Sequence, residues 1–517
     1  MKVWAGLLFS YAWKILRILF PPFMATTLPS YALQGLTAHP VQLEVEVSRG
    51  MPHFAIIGMA GASLQEAKER VRSAMIHSGF QFPLTRKIVN LAPAELQKRG
   101  SHFDLAIALG LLVASGQIAS LPRNILVLGE LGLQGELRAI SGLLPILLHV
   151  QNQSFSEIWI PHGNAPEAGL VKGLKILCFK HLREVVEHLQ GAPHSPLEKE
   201  RAHVADQDAL DFADIVGHPA AKRALLIAAA GGHHVLMTGP PGSGKSLLAQ
   251  AFPSILPPLT DQERLELWSV VSVAGRLTSH PPGGRPFRAV HSSCSAAGLL
   301  GGGPHLAPGE ISLAHRGVLF LDEFPEFSRA TLEALREPLE TRQISLRRGA
   351  IGTTYPCAFQ LVAAMNPCPC GFFGDPEKVC KCPGRELHRY QSKLSGPILD
   401  RIDLKVPVPR LAYEEWGKEA GATSAELRAQ VVAARKRQLA RFGGAFQNNQ
   451  EMSAAWVKKE PLSLDCQDLL QTASKQYSLS GRALHKLIKI ARTLADLEGR
   501  PRIQVEDLME ALVWRVG

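Results

Sequence analysis

The sequence predicts an α/β multidomain protein: an N-terminal α/β domain, a central parallel-sheet α/β core and a helical C-terminal domain. Three observations carry that prediction. In mid-chain an apolar strand, Val235 to Met237, runs into Gly239-Pro240-Pro241-Gly242-Ser243-Gly244-Lys245-Ser246, and a helix-compatible segment, Leu247 to Phe252, leaves it. About 75 residues later an apolar run from Gly317 to Leu321 ends in Asp322 and Glu323, as a buried parallel strand does where its carboxyl end opens at a ligand crevice. From Ser424 onward the pattern is helical.

At 517 residues, 46% hydrophobic and 20% charged, the chain has the length of roughly three domains and the composition of an ordinary soluble globular protein. Its net charge of +10 favours an anionic partner such as nucleic acid, although phosphate sites and solubility also draw on positive charge. Met1 to Phe23 is apolar, but Lys14, Arg17 and the Pro21-Pro22 pair leave no run of about 20 residues able to span a bilayer, so no stable membrane partner is expected. A signal peptide is the competing reading, yet the segment lacks a convincing small-residue cleavage site. Translation is expected to begin at Met24, making residues 1–23 a leader or a mis-assigned start and the protein cytoplasmic.

Residues 24–190 alternate strands (Val41 to Val47, Phe54 to Ile57, Lys87 to Leu91, Ile125 to Leu128) with helical stretches (Ser63 to Ser78, Asp104 to Ser115), an α/β domain with its own core. Residues 191–209 are polar, charged and proline-punctuated, which reads as a linker. The central core follows over 210–411, and the helical domain over 412–517. The latter carries basic residues in two groups, Arg435, Lys436, Arg437 and Arg441, then Arg482, Lys486, Lys489 and Arg492.

The glycines of 239–246 let backbone N–H groups curl around phosphates at the positive end of the following helix. Lys245 is placed to reach the β and γ phosphates of ATP, and the Ser246 hydroxyl to hold Mg²⁺ with support from Asp322. Glu323 would polarise the attacking water. A third strand, Phe359 to Met365, ends at Asn366, a side chain able to orient a water near the γ-phosphate, though an Asn before Pro is also an ordinary turn residue.

Eight cysteines argue against a disulfide framework in a cytosolic chain. Four of them form two close pairs, Cys368 with Cys370 and Cys380 with Cys382, separated by a stretch rich in Gly, Asp and Pro. Such pairs resemble a structural tetrahedral Zn²⁺ site that would pin a loop directly after Asn366; free thiols in a loop are the alternative.

Longer stretches carry a resemblance: Phe-Ala-Ile-Ile-Gly at 54–58, Glu69-Arg70-Val71-Arg72, Val89 to Ala94, Gly301-Gly302-Gly303, Pro308-Gly309-Glu310, Ala314 to Gly317, Asn366 to Gly371, and Leu394 to Leu404. Together they resemble the magnesium-chelatase-like AAA+ ATPases, most closely the ComM/YifB family, from Met24 to the C-terminus. The resemblance implies an AAA+ core over 210–411, a helical AAA+ lid over 412–517, and a ring, expected to be a hexamer. It implies Arg401 as an arginine finger inserted into a neighbour's ATP site and Arg482 as sensor 2, both stabilising charge on the transferring phosphoryl group. Read without it, Arg401 between Asp400 and Asp403 is a surface ion pair.

The N-terminal domain resembles the ribosomal-S5-like fold shared with the Lon protease domain. Where that protease has its nucleophile, Lys98 to Phe103 places His102, with Ser101 one position away; the position of the lysine base, near Gly142 to Leu144, holds leucine. An inactive scaffold or DNA-binding platform is expected, with a Lon-like protease disfavoured. Ile344 to Ile351 alternates like a hairpin with Arg347 and Arg348 at its tip. In related ring helicases such a hairpin faces the pore, which makes these arginines candidate DNA contacts, with a solvated tip as the alternative. The expectation is an ATP-driven DNA motor promoting branch migration during recombination of incoming DNA. A chelatase ATPase subunit is the rival, disfavoured by the additional N-terminal domain.

Overall fold

Along Thr37–Ser48 every second side chain from Val41 to Val45 is buried and the intervening Gln42, Glu44 and Glu46 are exposed, the period-two pattern of a strand with one wet face. The structure, a computed structural model, describes residues 25–59, 61–98, 100–197, 210–277, 283–349, 351–375, 377–411 and 421–516. The expected leader, 1–23, lies outside them. Two compact units form, one from residues 25–197 with 268–277, the other from 210–267 with 283–516.

In the first unit β1 (Ala25–Gln34) pairs antiparallel with β2 (Thr37–Ser48), β3 (His53–Ile57) lies parallel to β4 (Arg86–Ala92), and the sheet runs β1-β2-β4-β3. Helices α1 (Ala62–His77) and α2 (Asp104–Ala114) contribute to its core, and α2 is buried along its whole length. Its first residue is an acid, Asp104, matched by Arg70 of α1 at 2.7 Å. Burial still pushes the Asp104 carboxyl up to about 6, against the pull of that guanidinium. Beyond it come β5 (Ile125–Val127), the short pair β6 (Glu130–Leu131) and β7 (Leu137–Arg138), then β8 (Glu157–Pro161) and β9 (Ile176–Phe179). β5, β8 and β9 form a parallel sheet in that order. Short apolar runs such as β8 and β9 have no readable period, which is why the sequence pattern yields only β5 here.

The linker begins later than residue 191. The His194 ring stacks on Phe179 at 4.2 Å, and the Leu197 N–H donates to the Ile176 carbonyl at 2.8 Å, so residues up to 197 belong to the first unit. His102, at the position the resemblance aligns with a nucleophile, is buried with Nε2 at 2.8 Å from the Tyr31 carbonyl, and burial pushes it down to about 4, leaving it neutral. Ser101 donates to Glu130, Lys98 to the carbonyl of Pro93, and Leu143 and Leu144 are core residues. No Ser–Lys pair is present among these groups.

The second unit is built on five parallel strands. β10 (Val235–Thr238), β11 (Phe287–Val290), β14 (Val318–Leu321), β17 (Gln360–Met365) and β18 (Leu404–Pro407) align in the order β11-β14-β17-β10-β18. Two small hairpins interrupt the series: β12 (Gly301–Gly302) with β13 (Ala307–Pro308), and β15 (Gln343–Arg348) with β16 (Ile351–Pro356). The Tyr355 hydroxyl donates to the Leu306 carbonyl at 2.9 Å and ties the two together.

Helix α3 (Pro219–Gly231) precedes β10 and α4 (Lys245–Ala251) follows the phosphate-type loop. After α5 (Arg336–Thr341), which leads into β15, the C-terminal helices include α6 (Ser424–Phe442), α7 (Gly481–Leu497) and α8 (Val505–Val516), with two shorter ones, Ala454–Lys459 and Leu464–Gln476, between α6 and α7. α6 starts at a capping box of Thr423 and Glu426 and stops at Gly443, whose φ of 56° closes the helix. The sequence divides 210–411 from 412–517, yet both share one core, in which Val431, Leu487, Ile490 and Leu494 join Leu225, Val235 and Val406. The apolar faces of α6 and α7 are buried in this core, with Phe442 and Ile488 also packing in a smaller cluster around Met452 and Val457.

The basic residues of this region serve mostly as internal partners. Arg441 and Arg492 both bind Asp496, at 2.6 and 3.1 Å; Arg435 donates to the Ala229 carbonyl, and Lys486 pairs with Asp403 at 2.7 Å. Their charge therefore carries no argument for a nucleic-acid face.

Candidate nucleotide-binding site

The loop 239–246, Asp322, Glu323 and Asn366 lie at the carboxyl ends of the parallel strands. β10 ends in Thr238, and the loop turns at Gly242 and Gly244, with φ of 76° and 81°, which side chains other than glycine seldom adopt. Gly239 is needed for another reason: a Cβ there would meet the Val408 carbonyl oxygen at 2.0 Å. The loop thus presses against the chain leaving β18.

Lys245 opens α4 and is buried. Its ammonium donates to the Gly239 and Pro240 carbonyls at 2.8 Å each and faces Ser243 Oγ and Asn366 Oδ1 at 3.4 Å. Burial lowers its pKa, with Asp322 opposing. Ser246 Oγ donates to Asp322 Oδ2 at 2.9 Å, and the other Asp322 oxygen accepts from the Glu323 N–H at 2.8 Å. Glu323 itself sits at φ 50°, in the left-handed region, a conformation costing about 1–3 kcal/mol when a non-glycine residue holds it. β14 and β17 are hydrogen-bonded neighbours, and their ends bring Asp322 against Ser246 and Asn366 against Lys245, with Glu323 next along the chain from Asp322. The hydroxyl–carboxylate pair and the glycine turns fit ATP and Mg²⁺.

The four sulfurs of Cys368, Cys370, Cys380 and Cys382 lie within 4.8 Å of one another. Two backbone N–H groups, of Cys370 and Phe373, donate to sulfurs of this cluster at 3.4 and 3.3 Å. Donors aimed at sulfur suit thiolates, so the donor set fits a tetrahedral Zn²⁺. Gly371, at φ 85°, packs so closely on the loop that a Cβ would meet Pro241 Cδ at 2.4 Å. The cysteine cluster therefore abuts the phosphate-type loop, a relation that spacing along the chain does not reveal.

Arg401 and Arg482 stand elsewhere. Both bind Glu340 Oε1, Arg401 at 2.7 Å, and Arg401 also donates to the Pro397 carbonyl. They line a cavity of about 520 Å³ with Glu340, Lys486 and Lys489, and no residue of 239–246 lines it. The ion-pair partner of Arg401 is Glu340 rather than either flanking aspartate, and its side chain is only 10% exposed. Asp403 turns inward instead. Burial opposes its ionisation, but Lys486 and His233 hold its carboxyl well below the usual range, and it accepts from the His234 N–H at 2.9 Å. His234 is pushed down to about 4 by burial, and its Nδ1 accepts from the Leu361 N–H at 3.0 Å. This network fixes the segment carrying Arg401 to β17 and to α7, where Arg482 lies one turn before Lys486. Glu340 carries no signal in the sequence, and although Asp403 falls in the stretch from Leu394 to Leu404, its inward pairing with Lys486 is not readable there.

Arg347 and Arg348 lie exposed at the end of the β15–β16 hairpin, while Ile344, Leu346, Thr353 and Tyr355 turn to its buried face. Among the described residues no helix is long and apolar enough to cross a membrane.

Three family models match the chain. One described as magnesium chelatase, subunit ChlI, covers residues 211–416; one described as subunit ChlI of Mg-chelatase covers 43–164; one described as magnesium chelatase, subunit ChlI C-terminal, covers 421–515. The chain is similar to competence protein ComM of Haemophilus influenzae, 42% identical over 500 residues, which is 94% of this chain and 96% of that protein. It is 40% identical to the uncharacterized protein YifB of Salmonella typhimurium over 491 residues, 94% of this chain and 96% of that one. Similarity to the magnesium-chelatase 67 kDa subunit of Chlorobaculum tepidum is 29% over 160 residues, 30% of this chain and 23% of that protein. Because a chelatase-subunit model also matches 43–164, the N-terminal unit does not separate the chain from chelatase subunits as the sequence reading expected. Coverage of nearly the whole chain, against less than a third, does.

Proposed function

This chain belongs to the ComM/YifB family of magnesium-chelatase-like AAA+ proteins, and from that premise we propose that it is an ATP-driven motor on branched DNA, working as a ring, with six copies expected. The observation that carries the ring is the separation of its parts. Lys245, Ser246, Asp322, Glu323 and Asn366 gather at one place, whereas Arg401 and Arg482 sit together in a cavity with no residue of 239–246 in its lining. A single phosphate loop cannot surround a transferring phosphoryl group, so the two arginines are read as serving a neighbour's ATP.

Mg²⁺, held by Ser246 with Asp322 behind it, would supply charge neutralisation at the phosphates. Lys245 binds the phosphate oxygens, Glu323 draws a proton from the attacking water, and Asn366 orients that water. The DNA step draws support from the full-length similarity to a competence protein and from the exposed arginine pair at 347–348. Uptake and integration of foreign DNA is the setting this implies. The N-terminal unit is read as an S5-like, Lon-like scaffold without protease activity.

The test is displacement of a strand from a three-stranded DNA junction with ATP. The native protein should move the strand and hydrolyse ATP faster with DNA; Arg347→Gln with Arg348→Gln should weaken DNA binding severalfold at moderate salt, with little dependence on sequence. No strand movement and no DNA stimulation in the native protein would sink the proposal.

The cysteine cluster is read as a structural Zn²⁺ site that stiffens the loop packed on Pro241. Metal analysis of protein purified without a histidine tag should give about one zinc per chain, and Cys380→Ser with Cys382→Ser should lose it. Metal-free protein of full activity would refute this.

A further inference from the structure

Glu340 is a single carboxylate bound by two guanidinium groups from different parts of the chain. Arg401 comes from the segment before β18 and Arg482 from the first turn of α7, and both reach the same oxygen. Two like charges converge here only because an anion sits between them. Lys486, Lys489 and Arg342 also line the cavity, together with the acids Asp400 and Glu451, of which Glu451 pairs with Arg342. A carboxylate oxygen shared by two arginines occupies the position that a phosphoryl oxygen would take between the same groups.

The carboxylate is also tied to the hairpin. Glu340 lies in the last turn of α5; Arg342 follows at φ 57°, held by Glu451 and Gln450, and β15 begins at Gln343. Arg347 and Arg348 are therefore on the strand that starts three residues after Glu340. Arg401 is nearly buried and anchored through Pro397, while Glu340 is 42% and Arg482 53% exposed. The anion and one of its cations are thus the solvent-accessible members of the trio.

We propose that Glu340 is a positioning residue that pairs Arg401 with Arg482 and releases the pair to a neighbouring subunit's ATP when DNA engages the hairpin. The inference rests on the reading of these arginines as acting across a subunit boundary. A strand pulled by DNA at Arg347 and Arg348 draws Glu340 with it, and the two cations are then free to take the incoming phosphate in its place.

The experiment compares native protein with Glu340→Gln and Glu340→Asp, measuring ATP turnover with and without single-stranded DNA, DNA affinity, and Tm. With Gln the arginines are released at all times. DNA-free turnover should rise at least threefold, the ratio of DNA-stimulated to DNA-free turnover should fall to within about twofold of one, and DNA affinity should change by less than about twofold. Asp keeps the charge but has a shorter reach, so its ratio should lie between the two. A merely structural role would lower Tm and both rates together, and that result overturns the proposal. So does a native stimulation ratio in Glu340→Gln. Mixing Arg401→Ala with Lys245→Ala protein separates the two levels: no recovery of turnover refutes the cross-subunit reading, whereas recovery with native DNA stimulation in Glu340→Gln refutes only the role of Glu340.

Discussion

A Glu323→Gln protein is expected to bind ATP as the native protein does and to hydrolyse it at least about a hundredfold more slowly, the size of effect that removing a positioned general base produces. The change keeps shape and removes the proton acceptor. Glu323 is held at φ 50° at the end of β14, its N–H fixed by Asp322, and nothing in that arrangement needs the second oxygen's charge. Fold and phosphate binding should therefore survive, and the substitution should trap ATP on the protein. Binding of a labelled nucleotide and single-turnover hydrolysis, measured on the same preparation, separate the two properties. A loss of less than tenfold would assign the base elsewhere; a matching loss of ATP affinity would make Glu323 a binding group.

For Arg401→Ala the expected loss of turnover is about a thousandfold, the lower range for removal of an arginine finger, again with ATP binding retained. Its distinguishing feature is complementation. Arg401→Ala keeps a complete set of 239–246, Asp322 and Glu323, and Lys245→Ala keeps a complete arginine pair, so each inactive protein holds what the other lacks. Mixed, they should recover a measurable fraction of native turnover that rises with total protein concentration. A cis arrangement gives no recovery at any ratio. Asp403 provides a contrast: its buried pairing with Lys486 anchors the same segment, and truncating either partner should destabilise the fold by about 3–5 kcal/mol. Loss of activity there would come with a lowered Tm, which Arg401→Ala should not show.

The phosphate-type loop was legible because its chemistry is contiguous. Positive φ at Gly242 and Gly244, a lysine at the start of α4 and a hydroxyl beside it all follow from eight consecutive residues. The strands ending at Asp322 and Asn366 were legible for a similar reason, since a fully buried parallel strand is a continuous apolar run and the polar residue after it marks its open end. The paired cysteines announced a shared site by spacing. By contrast β8, β9 and the extension of the first unit to residue 197 depend on what packs against them, and short runs do not reveal that. The sequence shows two basic groups in the C-terminal helices but not their partners; most face acids and carbonyls inside their own unit.

The sequence by itself determined the candidate phosphate loop, the α/β core and the candidate metal ligands, because local backbone conformation and adjacent side chains are enough to specify them. Tertiary structure alone decided which charges meet. Arg482 and Glu340 are 142 residues apart, and Pro241 lies against Gly371 so closely that a Cβ there would meet it. An ion pair or a close backbone approach is a matter of distance in space, and that distance is set by how the five-stranded sheet and the C-terminal helices close over one core.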